Sequence, residues 1–361
     1  MAKLLSQIPE SIRQEIDILL GDRERLLELI AKPDIPEARE ILKLADQVRI
    51  WTVGDEVQLR GLIEFSSFCR NHCLYCGLRQ DNRKLVRYRL EAPEIITAAE
   101  NGVRLGYKTV VLQSGEDPSY TGEGLAEVIR EIKNLGLVVT LSLGEREPWE
   151  YELWRKAGAE RYLMRHETSA PALYARLHPA GRTLEKRVAL LKVLKGLDYQ
   201  VGTGFMVGLP GQTPETLLAD LELARELNAE MVGVGPFIPH PETPLGGTVG
   251  GTVAQTCLMV ALVRLILPWA LVPATTALGT IDPLGREAAL QSGANVVMPN
   301  LTPRTYRKDY QIYPNKICTG EEAAECRSCI NRRITAIGRS VAAGPGHNVL
   351  WLERQRGNKK S

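Results

Sequence analysis

Cys69, Cys73 and Cys76 stand in the run Phe68-Cys-Arg-Asn-His-Cys-Leu-Tyr-Cys-Gly77, directly after the apolar stretch Leu62-Ile-Glu-Phe65. Their C-x3-C-x2-C spacing gathers three thiols at the end of a predicted strand. Cysteine thiolates are the usual ligands of iron–sulfur clusters, so this set holds three irons of a [4Fe-4S] cluster and leaves the fourth iron an open coordination position. Two other readings compete. A zinc site needs a fourth ligand, which His72 would have to supply. A disulfide between such close neighbours would be strained, and seven unevenly spaced cysteines do not read as a secreted framework. The cluster is the strongest of the three.

With Tyr75 just before the last cysteine, the run resembles the signature of the radical S-adenosylmethionine (SAM) enzymes. The resemblance implies that SAM binds the open iron through its amine and carboxylate. It implies too that an electron from the cluster splits SAM into methionine and a 5′-deoxyadenosyl radical. The run Gln113-Ser-Gly-Glu-Asp-Pro118 resembles the GGE motif of the same enzymes, with Ser114 in place of the first glycine. Ser114, Gly115 and Glu116 would then meet the SAM ammonium; an ordinary turn with an N-capping acid is the alternative.

Thr140 and Ser142 lie two apart on a predicted strand and so face one side, where their hydroxyls suit the ribose or methionyl part of SAM. Burying the ionisable residues of Arg165-His-Glu-Thr168 at a strand tip costs on the order of several kcal/mol unless they pair or meet a polar ligand. Glu167 is therefore a candidate for the ribose hydroxyls or the SAM amine, and Arg165 for a substrate carboxylate. Arg187 is a candidate clamp for the SAM carboxylate, or a solvated helix charge. Met206 touches the adenosyl moiety or packs in the core. Thr275 and Thr276 add hydroxyls, and Tyr306, Tyr310 and Tyr313 either close a cavity or are surface aromatics. His166 and His178 carry no assignment.

These residues fall at the ends of eight predicted strands: Gly61–Ser66, Lys108–Gln113, Val138–Leu143, Arg161–Arg165, Gln200–Val207, Met231–Pro236, Val272–Ala277 and Ala294–Met298. Between them the 3.6-residue period predicts helices over Pro93–Leu105, Gly124–Leu135, Glu150–Ala157, Leu184–Leu197 and Pro214–Leu227. Several end at glycine before the next strand, as at Gly106, Gly136, Gly158 and Gly293. Eight β-α units in series predict an α/β fold, a parallel (β/α)8 TIM-type barrel whose active site lies at the C-terminal strand ends. A doubly wound open sheet fits the strand count less well and lacks a phosphate fingerprint. Residues 10–31 and 36–48 read as two helices capping the barrel bottom. The domain reading is an N-terminal helical cap at 1–54, the barrel at 55–301 and a C-terminal extension at 302–361.

The 361 residues carry a formal net charge of +2, which gives no electrostatic footprint for nucleic acid or an anionic membrane. The N-terminal Met1–Pro9 shows no secretory signal. The most hydrophobic run, Cys257–Val272, is broken by Arg264 and Pro268 and is too short to span a bilayer. Cys257 on it reads as a core residue. The basic tail from Arg354 to Lys360 reads as a frayed end. An oxygen-sensitive cluster on reduced thiolates predicts a cytoplasmic location.

The residues together resemble one family, the radical SAM maturases of [FeFe]-hydrogenase (HydE). The matching runs are Ile63-Glu-Phe-Ser through Arg79, Val111–Pro118, Val139-Thr-Leu-Ser-Leu-Gly-Glu145, Arg165–Thr168 and Met206–Gln212. They continue with Gly233–Pro241, Pro273–Gly279, Ala294–Asn300 and Tyr313-Pro-Asn-Lys-Ile-Cys318, covering about residues 55–330. The resemblance implies SAM contacts from Ser142, Glu167 and Arg187, and an anion site deeper in the barrel that includes Arg165, with Thr275, Thr276, Tyr310 and Tyr313 as further candidates. It implies a substrate that is a small organometallic iron species carrying cysteine, CO and cyanide, an electron donor, and the other hydrogenase maturases as partners. Cys318, Cys326 and Cys329 match the place of an auxiliary [2Fe-2S] cluster, with a zinc site or plain surface thiols as the alternative. Other functions kept open are a radical SAM mutase acting on an amino acid, a biotin-synthase-like enzyme, and a non-enzymatic iron–sulfur carrier.

Overall fold

The computed structural model describes residues 6–358. Met1–Leu5 of the N-terminal reading, and Lys359 and Lys360 of the basic tail, lie outside the described residues. Eight strands follow in chain order: β1 (Gln58–Leu59), β2 (Gly61–Ser66), β3 (Thr109–Ser114), β4 (Val138–Ser142), β5 (Arg161–Leu163), β6 (Gln200–Val207), β7 (Met231–Pro236) and β8 (Val296–Val297). Strands β2 to β7 form one parallel sheet in sequence order, and β1 pairs in parallel with β8. Runs such as Thr109-Val-Val-Leu112 are buried throughout, as expected of parallel strands covered on both faces.

Backbone hydrogen bonds carry the sheet round into a ring. Beyond β7, Val232 N donates to Leu271 O at 3.1 Å, and Ala274 N donates to Val296 O at 2.8 Å. Leu62 N then donates to Pro299 O at 2.8 Å and Leu301 N to Leu62 O at 2.7 Å, bringing the last strand back to the first. The architecture is the predicted parallel α/β barrel.

The predicted strand Val272–Ala277 is corrected to a few bridging residues. Pro273 has no N–H to give a ladder, and Val272 N is taken by the side-chain Oδ1 of Asn295 at 2.9 Å. Thr275 then caps a helix that begins at Thr276, so the two threonines leave the sheet. The predicted strand Ala294–Met298 shrinks to Val296–Val297.

Residues 10–31 form two helices rather than one, Glu10–Gly21 and Arg23–Ala31, because Asp22 breaks the run and accepts from Arg25 N at 3.0 Å. The third, Pro36–Val53, packs on the apolar helix Val253–Ile266, which buries Cys257. These helices lie against the outer layer. The barrel bottom is closed instead by the C-terminal segment. Arg161 donates to Pro345 O (2.8 Å) and Gly346 O (2.9 Å), and Thr109 Oγ1 donates to Pro345 O (2.9 Å). Asn348 N donates to Gln200 Oε1 (2.8 Å). The tail beyond is docked, not frayed: residues Val349–Asn358 are helical and Arg354 binds Glu230 at 2.7 Å. No helix among the described residues is long and apolar enough to cross a membrane.

Candidate active site

The cysteine loop leaves β2 at Ser67 and returns to the sheet at Arg89. Arg87 organises it by donating to the carbonyls of Ser67, Leu78, Arg79 and Asn82. Cys69, Cys73 and Cys76 are half-buried free thiols inside this fold-back. Burial pushes all three thiols up, Cys73 to about 12 with the neighbouring Cys69 adding to the shift. Such thiols gain their charge through a metal, which deprotonates a coordinating thiol. His72 is turned outward onto Asp81 at 2.8 Å and is exposed, which removes it as the fourth ligand of a zinc site.

Gly115 brings the end of β3 against the loop. A Cβ there would stand 2.2 Å from Phe68 O and 2.7 Å from Cys69 Cβ, so only glycine permits the approach. Ser114 donates its hydroxyl to Gly115 O at 2.7 Å. Asp117, missed in the sequence, ties the two loops by accepting from Ser66 Oγ (2.6 Å) and from Arg89 Nε (2.7 Å) and Nη2 (3.0 Å). Burial would raise its carboxyl, but these donors hold it below the usual range.

The Glu116 side chain enters a buried ion network. It accepts from Glu145 N (2.8 Å), Arg182 Nη2 (2.7 Å) and Arg70 Nε (3.3 Å). Glu145 pairs with both Arg182 and Arg187, the latter at 2.7 Å from Nε. Burial opposes the Glu145 charge, yet the two guanidiniums keep its carboxyl below the ordinary value. Arg187 donates a second bond to Arg165 O at 2.6 Å. It is therefore a buried, oriented cation rather than a solvated helix charge. Neither Glu145 nor Arg182 stands out in the sequence; the one signal is that Glu145 ends Ser142-Leu-Gly-Glu145 at a strand tip.

Inside the barrel mouth, polar atoms are buried without hydrogen-bond partners among the described residues. They are Thr140 Oγ1, Arg165 Nε and Nη2, and Glu167 Oε2. Arg165 and Glu167 approach at 3.1 Å as an ion pair. Glu167 is held at φ 64°, a left-handed conformation costing a side-chain-bearing residue roughly 1–2 kcal/mol. It is fixed there because its N–H donates to Gly204 O (3.0 Å) and its carbonyl accepts from Met206 N (3.1 Å). Strain of this kind concentrates at functional positions. His166 points the other way, to Thr203 Oγ1 (2.8 Å) and Asp220 (3.5 Å), and serves the fold.

Tyr75 and Met206 meet in an apolar group with Leu173, Leu177, Leu209 and Phe237. His178 fixes the tyrosine. Its ring is stacked on Tyr174 with centroids 3.9 Å apart, and burial lowers its pKa to about 4. Nδ1 lies 2.9 Å from Tyr174 O, so the neutral ring donates there and Nε2 accepts from Tyr75 OH at 3.0 Å.

Of the remaining candidates, Ser142 is half-buried at the end of β4. Thr275 lies 3.3 Å from where a Gly235 Cβ would stand. Tyr310 is buried and accepts from Gln113 Nε2 at 3.2 Å. Tyr313 is half-buried, whereas Tyr306 stacks on Tyr88 and donates to Glu94 Oε1, away from the mouth. Glu64, an acid in an otherwise apolar strand, is buried with Lys316 and Asn300. The barrel mouth therefore offers three soft sulfur ligands, unfilled polar donors and acceptors, and an apolar wall. That set fits an iron–sulfur cluster with a polar organic cofactor beside it.

Residues 63–224 match the radical SAM superfamily. The chain is 49% identical over 334 residues to the [FeFe] hydrogenase maturase subunit HydE of Thermotoga maritima, covering 92% of this chain and 94% of that protein. It is 29% identical to the 3-methylornithine synthase of Methanosarcina acetivorans, covering 81% of this chain and 82% of that protein. Among solved structures, methylornithine synthase (PylB) superposes with a TM-score of 0.79 at 27% identity, over 91% of this chain and 97% of that one. The cysteine loop, the glycine packed against it and the whole-length similarity agree: this chain is a radical SAM enzyme, with the [4Fe-4S] cluster and SAM that this implies, and belongs to the HydE family.

Proposed function

We propose that this enzyme acts in assembly of the [FeFe]-hydrogenase active site, on a small organometallic iron species carrying cysteine, CO and cyanide. The observation that supports the reading is the Arg165–Glu167 pair in the barrel mouth, whose Arg165 Nε is buried without an acceptor, in a chain 49% identical to HydE. A half-buried guanidinium with a donor left free suits an anionic or carboxylate-bearing substrate. When bound, the cluster and SAM supply a 5′-deoxyadenosyl radical.

The chain's own residues do the rest. Cys69, Cys73 and Cys76 hold the cluster. Ser114 and Gly115, with Glu116 buttressing the turn from behind, shape the backbone that meets the SAM amine. Thr140, Ser142 and Glu167 receive its hydroxyls and amine, Arg187 its carboxylate, and Tyr75 with Met206 its apolar face. Arg165 orients the substrate, with Thr275, Thr276, Tyr310 and Tyr313 around it, and the closed barrel excludes water. The other hydrogenase maturases are the expected partners. Cys318, Cys326 and Cys329 hold a second metal centre that takes no part in radical generation.

Anaerobic reconstitution with SAM, reductant and the iron–cysteine–carbonyl–cyanide species tests the reading, with adenosyl products followed by mass spectrometry. Adenosylation that requires the substrate and vanishes in Cys73→Ser supports it. Slow 5′-deoxyadenosine formation unaffected by the substrate overturns the substrate assignment and moves it to amino acids.

A further inference from the structure

Tyr174, His178, Arg182 and Arg187 lie within one stretch of chain, running from the helix Pro171–Leu177 into the helix Leu184–Gly196. This stretch touches the cysteine loop at one end and the buried ion network at the other. At the loop, Leu74 N donates to Leu177 O at 2.9 Å, and Tyr75 OH lies 3.0 Å from His178 Nε2. At the network, Arg182 binds Glu116 and Arg187 binds Glu145, each at 2.7 Å.

His178 stands between the two ends. Its Nδ1 is 2.9 Å from Tyr174 O. A carbonyl only accepts, so Nδ1 carries the proton and Nε2 is left as the acceptor for the tyrosine hydroxyl. The imidazole stacks on the Tyr174 ring with centroids 3.9 Å apart. The Arg187 guanidinium lies over the same Tyr174 ring, 6.0 Å from its centroid, within reach of a cation–π contact. One buried imidazole thus fixes a side chain of the cysteine loop and the ring that seats a buried cation. Burying it costs hydration that a phenyl ring would not lose. What the imidazole adds is an acceptor aimed at Tyr75.

We propose that His178 is a positioning residue for SAM. Through Tyr75 it sets the apolar wall next to the third cluster cysteine, and through Tyr174 it sets the seat of Arg187. The inference rests on the placing of Tyr75 and Arg187 against SAM, and makes no demand on the substrate.

The test uses the full chain, reconstituted anaerobically with iron and sulfide and reduced with dithionite. Formation of 5′-deoxyadenosine is measured at varied SAM with no other substrate. His178→Asn keeps a donor for Tyr174 O but has no acceptor for Tyr75 OH. Its KM for SAM should rise about fivefold, the scale of one hydrogen bond, while kcat holds. The EPR spectrum of the reduced cluster at subsaturating SAM should show a smaller SAM-bound fraction. His178→Gln, whose amide oxygen reaches the place of Nε2, should restore both. Tyr75→Phe should raise KM by the same factor, and the double variant should be no worse than either single one, since both remove one bond. Iron content and circular dichroism confirm that each variant is intact; if His178→Asn loses iron, Tyr75→Phe decides by the same KM. A KM raised in Arg187→Lys but unchanged in His178→Asn and Tyr75→Phe overturns this proposal alone. An unchanged KM in all three overturns the placing of SAM on which it rests. Losses that multiply in the double variant overturn the coupling through Tyr75.

Discussion

Arg165 and Glu167 share the barrel mouth but face different demands. Arg165 Nη2 faces Glu167 Oε2 at 3.1 Å, but its Nε is buried with no acceptor, so the side chain keeps a donor for a ligand that the ion pair does not supply. Arg165→Lys keeps the charge but loses the planar fork. Substrate-dependent adenosylation should fall at least tenfold while background SAM cleavage persists. Equal loss of both activities would place Arg165 in SAM binding instead. The histidines make a second residue-scale prediction. Burial lowers both His178 and His347 to about 4, below the roughly 6.5 of an unfolded histidine. The unfolded chain thus takes up protons first as pH falls, so stability is full above about pH 6.5 and declines toward pH 4. Urea denaturation between pH 6.5 and 4.5, above most carboxylate titrations, should show that slope. His178→Asn should flatten it, and a slope unchanged in that variant would remove His178 from the account.

At the scale of elements, the site depends on loops that touch across the barrel top. Glu145, after β4, is the acid shared by Arg182 and Arg187. Removing one partner of a buried pair leaves uncompensated charge and costs about 3–5 kcal/mol. Glu145→Ala should therefore lower the denaturant midpoint and raise the KM for SAM by freeing Arg187. A lowered midpoint with an unaltered KM would make Glu145 structural only. Gly115→Ala tests the contact between β3 and the cysteine loop. The added methyl meets backbone at 2.2 Å, so iron content should drop while the far-ultraviolet circular dichroism stays native. The cysteines were legible in the sequence because their chemistry is local: three thiols within eight residues need no fold to be recognised. Glu145, Arg182 and His178 were not, since each gains its role from a partner 29 to 103 residues away. The seventh strand was over-read because Val272–Ala277 has strand-like composition, while Pro273 and the cap at Thr275 act against it.

For the whole molecule, the β-α alternation made the barrel readable, but how its lower end is sealed was not. That depends on a segment more than 100 residues from most of its contacts. Arg161 and Gln200 point down to Pro345, Gly346 and His347. Ending the chain at Ser340 would leave Arg161 buried without these acceptors. The melting temperature should fall by more than about 5 °C, with the aggregation expected of an opened core. An unchanged melting curve would show the segment to be peripheral.

The sealed lower end also governs traffic. With its lower end closed by its own chain, the barrel would exchange its contents at the end that carries the cysteine loop, and under the proposed function SAM with its cluster would stand there. Whatever is to be transformed must pass first, and whatever results must wait until the nucleoside has left. Turnover would then follow a last-in, first-out order, which would keep a reactive species confined until its escort departs.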